Sequence, residues 1–501
     1  MLRILGSPKR LCDGVSRRDF LIAGGLGALG LGLDNYFRIR EVQAAAPAHA
    51  ALPRFGQAKH CILLFLYGSP SQLEWCDLKL DAPAEIRGEL GGIRSRLPGC
   101  DVCELFPNMA RVMDKVTVVR SMTHPYPIHG VAYATTGIPA IDVAMELSPR
   151  DGRHWPFVGS VVDYVERNGP AAGRRRDVPA NIALPFPFSS RRVGEVPRAG
   201  PYAAFLGGGY NPLWTEFRGE ANRTIKKTLT DQVWEAGEPY VGITPESRFE
   251  LAATTEVGTN LTLDRLDRRR SLLEQFDDAR RRVDASDATR SLDRYRTMAY
   301  DLLGSTRVQE ALDVTREPLS TRQQYGFTLF GQAGLAARRL VEAGSKFVTV
   351  FWDEFGLAGS GWDTHWEHYP RMRNELCPGL DRALYGLLSD LDDRGMLDET
   401  LVLVMSEHGR TPRIQSTRGG GRDHWSQAYT ILMAGGGVAR GQVVGRTDRI
   451  GGTVTERPVS PKDILATTYH LLGIDAETLL TDRTGRPFPL TPGQVARDVL
   501  A

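Results

Sequence analysis

The chain has 501 residues, 42% hydrophobic and 24% charged, an ordinary balance for a soluble globular protein. Its 62 Lys and Arg face 60 Asp and Glu, a net charge of +2, so nothing in the charge balance points to a nucleic-acid partner. The length admits one large domain or several smaller ones.

Ser16-Arg17-Arg18-Asp19-Phe20-Leu21 has the pattern of a twin-arginine export signal. A glycine-rich apolar stretch follows from Ile22 to Leu33, and Ala44-Ala45-Ala46 offers a small-residue cleavage pattern. Residues 1–46 are read as a signal peptide, which places the mature protein in the periplasm or outside the cell. The apolar stretch is shorter than the roughly 20 residues a membrane span needs. No later segment is long and apolar enough either, so no stable membrane span is expected. Five of the six cysteines lie beyond the signal, and Cys100 and Cys103 are spaced for a local disulfide, with free thiols as the alternative and half a zinc site less favoured because no second pair accompanies them.

The first strand is expected over His60–Leu66, apolar on consecutive positions and so buried on both faces. It ends in the loop Tyr67-Gly68-Ser69-Pro70-Ser71. A helix is expected at Asn108–Asp114 and a strand at Lys115–Val119. From about 139 to 258 Pro and Gly are frequent and periodicity is poor, which reads as a loop-rich insertion. A helical segment is expected over about 262–345, where Leu266, Leu272, Leu273 and Phe276 recur at helical spacing. Then come a helix at Gln332–Ala343, a strand at Lys346–Trp352, a helix at Leu380–Arg394 and a strand at Thr400–Met405. A strand at Tyr429–Met433 and a helix at Pro461–Leu472 complete the series. The alternation predicts an α/β fold, a mainly parallel sheet sandwiched by helices, forming a single domain over 58–501.

Three acid–imidazole clusters stand out. Asp363-Thr364-His365 lies in a glycine-rich loop past a strand. Glu407-His408-Gly409 follows another strand directly. Asp423-His424 follows Gly419-Gly420-Gly421-Arg422, a run that permits close backbone approach. A buried acid beside a buried imidazole is costly without a cation or a partner, so Asp363, His365, Glu407, His408 and His424 are candidate metal ligands. Arg410 and Arg422 could clamp a phosphate or sulfate oxygen. Ser121, Thr123, His124 and His129 follow the second strand, where a hydroxyl could be a nucleophile and an imidazole an acid. Gly435-Gly436-Gly437 lacks the Lys and Ser/Thr of a phosphate loop and reads as a turn.

Several motifs resemble a bacterial family labelled DUF1501. They are Gly68–Gln72 with Asp77 and Lys79; Arg120-Ser121 with His124 and Gly137; Ala337–Gly344; Gly361–His365; Glu407 with Gly409–Pro412; Gly421–Trp425; and Ala434–Gly437. The likeness spans about 58 to 475. These are exported proteins of unknown function, with a fold like that of the alkaline phosphatase and sulfatase superfamily. What that resemblance implies is two metal ions flanking a nucleophile. Asp363, His365 and His424 would hold one ion, and Glu407 and His408 the other. The chain departs from the superfamily at the end of the first strand, where Tyr67-Gly68-Ser69 replaces an Asp and leaves Glu74 or Asp77 as substitutes. It departs again at Pro125–His129, the neighbourhood of the nucleophile, where the only hydroxyl is the phenol of Tyr126; Thr123 or Ser121 would have to serve, or water would attack directly.

The expectation is a metal-dependent hydrolase of phosphate or sulfate esters, acting on a small-molecule or glycan substrate. Zinc suits a His-rich site, and manganese or calcium a carboxylate-rich one. The alternative is a catalytically degenerate binding or scaffold protein of the same fold, stabilised by a metal.

Overall fold

In a computed structural model of the protein the described residues are 52–169, 177–193, 197–229, 232–252, 306–357, 361–482 and 484–500. The chain divides into two compact units, Met1–Pro53 and Arg54–Ala501. The signal-peptide pattern at 16–46 and residues 262–305 of the expected helical segment lie outside the described residues. The sheet and its helices belong to the second unit.

The frame of that unit is a nine-stranded sheet. In chain order the strands are β1 (His60–Phe65), β2 (Val116–Met122), β3 (Asn181–Leu184), β4 (Leu213–Arg218), β5 (Arg248–Leu251), β6 (Phe347–Phe351), β7 (Thr400–Met405), β8 (Tyr429–Ala434) and β9 (Gln442–Val444). Their spatial order is β5-β4-β3-β6-β1-β7-β8-β2-β9. β1 lies at the centre and pairs in parallel with β6 and β7, Leu63 opposite both Thr349 and Leu403. Only β8 and the edge strand β5 run against the others. The fold is therefore α/β with a mainly parallel sheet.

Both faces of the sheet are covered. The helices that matter here are α1 (Val158–Asn168), α2 (Leu329–Glu342), α3 (Cys377–Asp393) and α4 (Pro461–Leu471). Alternate residues of a strand point to opposite sides. Ile62 and Leu64 of β1 join Val348, Val350, Val402 and Val404 in one core with α2 and α3. The opposite face presents Phe351, whose ring meets Phe65, Phe157 and Phe188. Phe157 immediately precedes α1. Consecutive burial explains why β1 and β7 are apolar at every position after the first. The last helix, α4, begins with Pro and is fixed by a reciprocal cap between Ser460 and Asp463.

Several expectations need correction. Asn108–Asp114 forms no α-helix: it holds two 3₁₀ turns, Met109–Arg111 and Met113–Lys115, whose start is pinned by Asp381 accepting from the N–H groups of Asn108 and Met109 at 2.9 and 2.7 Å. The loop-rich stretch at 139–258 also contributes to the frame. It supplies the 11-residue helix α1 and the strands β3, β4 and β5 of the main sheet. Cys100 and Cys103 form no disulfide; they are free and buried, as are Cys61, Cys76 and Cys377. The Cys100 thiol faces Arg120 Nη2 at 3.3 Å instead. Gly435–Gly437 follows the antiparallel β8 and packs on the start of β7, where side chains at 435 and 436 would collide with the backbone of Thr400 and Leu401.

The two large helices are joined by charge as well as by apolar packing. Arg338 of α2 is fully buried and forms ion pairs with Glu317 at 2.7 Å and with Asp390 of α3 at 2.9 Å. Tyr325 adds a hydrogen bond to Asp390 at 2.9 Å. Removing one partner of a buried network leaves the other charges uncompensated, at a cost of about 3–5 kcal/mol. Arg338→Ala is therefore expected to lower the unfolding free energy in urea by that amount. An unchanged midpoint would show that Asp390 and Glu317 are satisfied without it.

Candidate metal centre

The parallel strands deliver the site at their carboxyl ends. Tyr67-Gly68-Ser69 follows β1, His124 and His129 follow β2, Asp363 and His365 follow β6, and Glu407 and His408 follow β7. His424 reaches the same edge because β8 is antiparallel, so the loop before it lies where the other strands end. A two-residue ladder, Gly409–Arg410 against His424–Trp425, brings His424 beside His408 with ring centroids 4.5 Å apart.

Asp363 is the hub. Its Oδ1 accepts from Arg410 Nη2 at 2.6 Å and lies 2.9 Å from His365 Nε2 and 3.3 Å from His424 Nε2, while Oδ2 is 3.2 Å from His129 Nε2. Burial pushes this carboxyl up, but Arg410 and His129 outweigh it and hold Asp363 well below the usual carboxylate range. Asp423 Oδ1 bonds the other nitrogen of His365, Nδ1, at 2.7 Å.

Glu407 is fully buried. Its Oε1 accepts from Gly68 N at 2.8 Å and lies 3.0 Å from His129 Nδ1, and its Oε2 has no partner among the described residues. His408 Nδ1 donates to Gly409 O at 2.8 Å, which leaves Nε2 as a bare acceptor, and that atom too is buried and unpartnered among the described residues. Burial, then the charges nearby, push His408 well below the ordinary imidazole range, so it is neutral and keeps a free lone pair. An orphaned buried acceptor costs about 1–3 kcal/mol. The two lie side by side in sequence on a chain that places His129 and His424 next to them.

Two groups of side chains can therefore hold a metal ion: His129, His408 and His424, and Asp363, His365 and His424, the ligand atoms of each lying within 4.8 Å of one another. The donor set is of nitrogen and carboxylate oxygen, which fits zinc or a similar divalent ion. In the state described, His129 bridges the two carboxylates. Burial lowers its pKa, but Asp363 and Glu407 on its two ring nitrogens win and hold it at about 9. Its ring stacks on Tyr67 at 5.0 Å.

The other expected residues lie differently. His124 donates from Nε2 to Glu407 O at 2.7 Å and accepts Tyr126 N–H on Nδ1 at 3.2 Å, so both nitrogens are committed; burial holds it at about 4. It supports the turn and is not placed to protonate a leaving group. Ser121 is fully buried, and its hydroxyl packs so closely on Gly445 that no side chain could stand there. None of the described hydrogen bonds takes Ser121 or Thr123 side chains to the cluster. Asp77 pairs with Lys79 at 3.0 Å and Thr447 at 2.5 Å, away from the ligands. Arg410 and Arg422 direct their donors largely to the protein itself. Arg410 donates to the carbonyls of Gly68, Ser69 and Arg422 besides Asp363. Arg422 spends all its donors on Glu74, Ile86 O, Thr411 O and Pro412 O.

Two residues earlier in the chain hold these loops. Gln72 grips Arg410 on both backbone groups, accepting its N–H at 3.1 Å and donating to its carbonyl at 2.9 Å. Glu74 pairs with Arg422, and His368, whose Nδ1 is bonded to Thr364 at 2.7 Å, faces it at 3.5 Å rather than serving as a ligand. Glu74 is legible in the sequence as an acid near the site. The role of Gln72 carries no local signal.

Burial pushes Glu74 up, yet Arg422 and then His368 hold it at about 2 against an ordinary 4.5. A depressed carboxyl stabilises the fold fully above its ordinary value, and that contribution is lost as pH falls through its folded value. Glu74→Gln should thus flatten the loss of stability between pH 4.5 and about 2 in an acid titration followed by circular dichroism. An equally steep loss would remove Glu74 as its source. Gly68 has φ +89°, and a Cβ there would strike the backbone of Asp363. Gly68→Ala is expected to weaken metal binding by more than about tenfold, because Asp363 must move. Unaltered binding would mean that the loop yields without disturbing it.

No curated protein sequence matches the chain. Among solved structures it is similar to the PsFucS1 sulfatase from Pseudoalteromonas sp., at 11% identity and TM-score 0.40, over 89% of this chain and 72% of that one. It is similar also to the phosphonate monoester hydrolase SpPMH from Silicibacter pomeroyi, at 13% identity and TM-score 0.34, over 88% and 76%. A third is the lipoteichoic acid synthase LtaP from Listeria monocytogenes, at 10% identity and TM-score 0.31, over 88% and 76%. The family model described as a protein of unknown function, DUF1501, matches residues 58–500, and the chain belongs to that family.

Proposed function

We propose that the protein is an exported metal-dependent hydrolase of phosphate or sulfate esters, small-molecule or glycan. The observation that carries this reading is the pair of buried, unpartnered acceptors, Glu407 Oε2 and His408 Nε2, beside His129 and His424. Export is supported by the Arg17-Arg18 pattern, and no helix among the described residues is long and apolar enough to cross a membrane.

When bound, a divalent ion would supply Lewis acidity toward the ester oxygen and acidify water. The rest is done by the chain. Asp363, His365 and His424 form the open half of the site, with side chains 15, 27 and 21% exposed, where a substrate can arrive. Glu407, His408 and His129 form the closed half, which excludes water and fixes the ligand directions. With no ion bound, His129 carries a proton at the boundary of the two. With Ser121 and Thr123 unconnected to the cluster, water is the nucleophile. Arg410 keeps Asp363 ionised and is not itself a substrate contact.

That no described hydrogen bond links the side chains of Ser121 or Thr123 to the cluster also favours the second reading, a metal-stabilised binding or scaffold protein. One experiment separates the two. The metal content of the purified mature protein is measured, and turnover of aryl phosphate and aryl sulfate is followed with and without chelator. The hydrolase reading expects bound zinc or a similar ion and chelator-sensitive turnover. Asp363→Asn should reduce metal affinity by more than about tenfold and abolish turnover. Bound metal without turnover of either ester establishes the scaffold; absence of metal defeats both.

A further inference from the structure

The turn after β1 ends in Glu74, which is 1% exposed and touches none of the candidate ligands. Each of its carboxylate oxygens is directed to a different loop. Oε1 accepts from Arg422 Nε at 3.1 Å and again from Nη2. Oε2 faces His368 Nε2 at 3.5 Å, and His368 Nδ1 meets Thr364 Oγ1 at 2.7 Å. Arg422 precedes Asp423 and His424 in the chain, and Thr364 stands between Asp363 and His365. The two loops also meet directly, through Arg422 N donating to Thr364 O at 3.1 Å.

We propose that Glu74 is a positioning residue that sets the register of the 363–365 loop against the 422–424 loop, and so the spacing of Asp363, His365 and His424. The proposal rests on the metal centre described above. Stability alone is a weak reason for such a carboxylate. A buried ion pair often does no better than apolar side chains of the same volume, and three of Arg422's donors already have backbone acceptors in Ile86, Thr411 and Pro412. What the carboxylate adds is direction. It is a branched group, with Oε1 hydrogen-bonded to the Arg422 side and Oε2 facing His368 across 3.5 Å on the Thr364 side, and groups that position metal ligands from behind are worth about 10–100-fold in affinity. The sequence of acid, imidazole and hydroxyl in Glu74, His368 and Thr364 resembles a nucleophile triad. Thr364 is 1% exposed, however, and its hydroxyl is turned to His368, so the trio positions and does not attack.

The test uses the mature full chain and cobalt(II) as probe, with affinity from competition against a chromophoric chelator and ligand geometry from the visible absorption bands. Glu74→Gln removes the charge. Thr364→Val cuts only the far link and leaves no buried charge behind, so it decides the matter should Glu74→Gln fail to fold. Both variants are expected to weaken cobalt binding by about 10–100-fold and to shift the bands, with Thr364→Val melting close to the parent. A folded Thr364→Val protein with parental affinity and bands overturns the proposal and leaves the metal centre standing. A parent chain that binds no cobalt overturns the metal centre itself, and the proposal with it.

Discussion

A single carboxylate, Asp363, sets the terms for the rest of this structure. It sits among His129, His365, His424 and Arg410, all within 3.3 Å, and is only 15% exposed. A charge in that position is tolerable only when opposite charge and hydrogen bonds surround it. Arg410 is the permanent cation it touches, and the cost of burying Arg410 is met by three backbone carbonyls, those of Gly68, Ser69 and Arg422. That requirement in turn dictates the glycine at 68. The chain there must turn with positive φ and lie against the Asp363 backbone, which a side chain would prevent. It also dictates the Gln72 clamp, because Arg410 can reach those carbonyls only if its own backbone is held.

The sheet makes this concentration of charge possible at one edge. Four loops leave the carboxyl ends of β1, β2, β6 and β7, and β8 runs in reverse so that the loop before it arrives at the same place. Had β8 been parallel, Arg422–His424 would emerge at the far edge, where Gly435–Gly437 now packs against the start of β7. The antiparallel strand is thus the topological feature that lets His424 belong to both candidate ligand groups.

Legibility in the sequence follows the same physics. β1, β6 and β7 are readable because each is buried on both faces and so apolar on nearly every residue. β3 is not: it is four residues long, begins with Asn181, and is a strand because β6 offers a parallel partner, Val348 opposite Ile182. The acid–imidazole pairs at 363–365, 407–408 and 423–424 are readable because they follow or precede strands. The fates of Arg410 and Arg422 are not, because part of their acceptor sets, Gly68 and Ser69 for the one and Glu74 and Ile86 for the other, lies more than 330 residues away. His129 stands out as an imidazole past a strand, but nothing local in Pro125–His129 signals that it stacks on Tyr67 and bridges Asp363 to Glu407.

The sharing of His424 bears on how many ions such a site takes. Its Nε2 is already turned to Asp363 Oδ1 and to His365 Nε2, at 3.3 and 3.1 Å. One imidazole nitrogen has one lone pair to give. If that nitrogen serves the open group, the closed group keeps His129 and His408, with Glu407 Oε2 as the adjacent free oxygen, and lacks its third imidazole. If His424 turns inward, Asp363 and His365 are left with Arg410 as their close permanent cation. The two candidate groups therefore share one imidazole, and whichever of them His424 serves leaves the other without it.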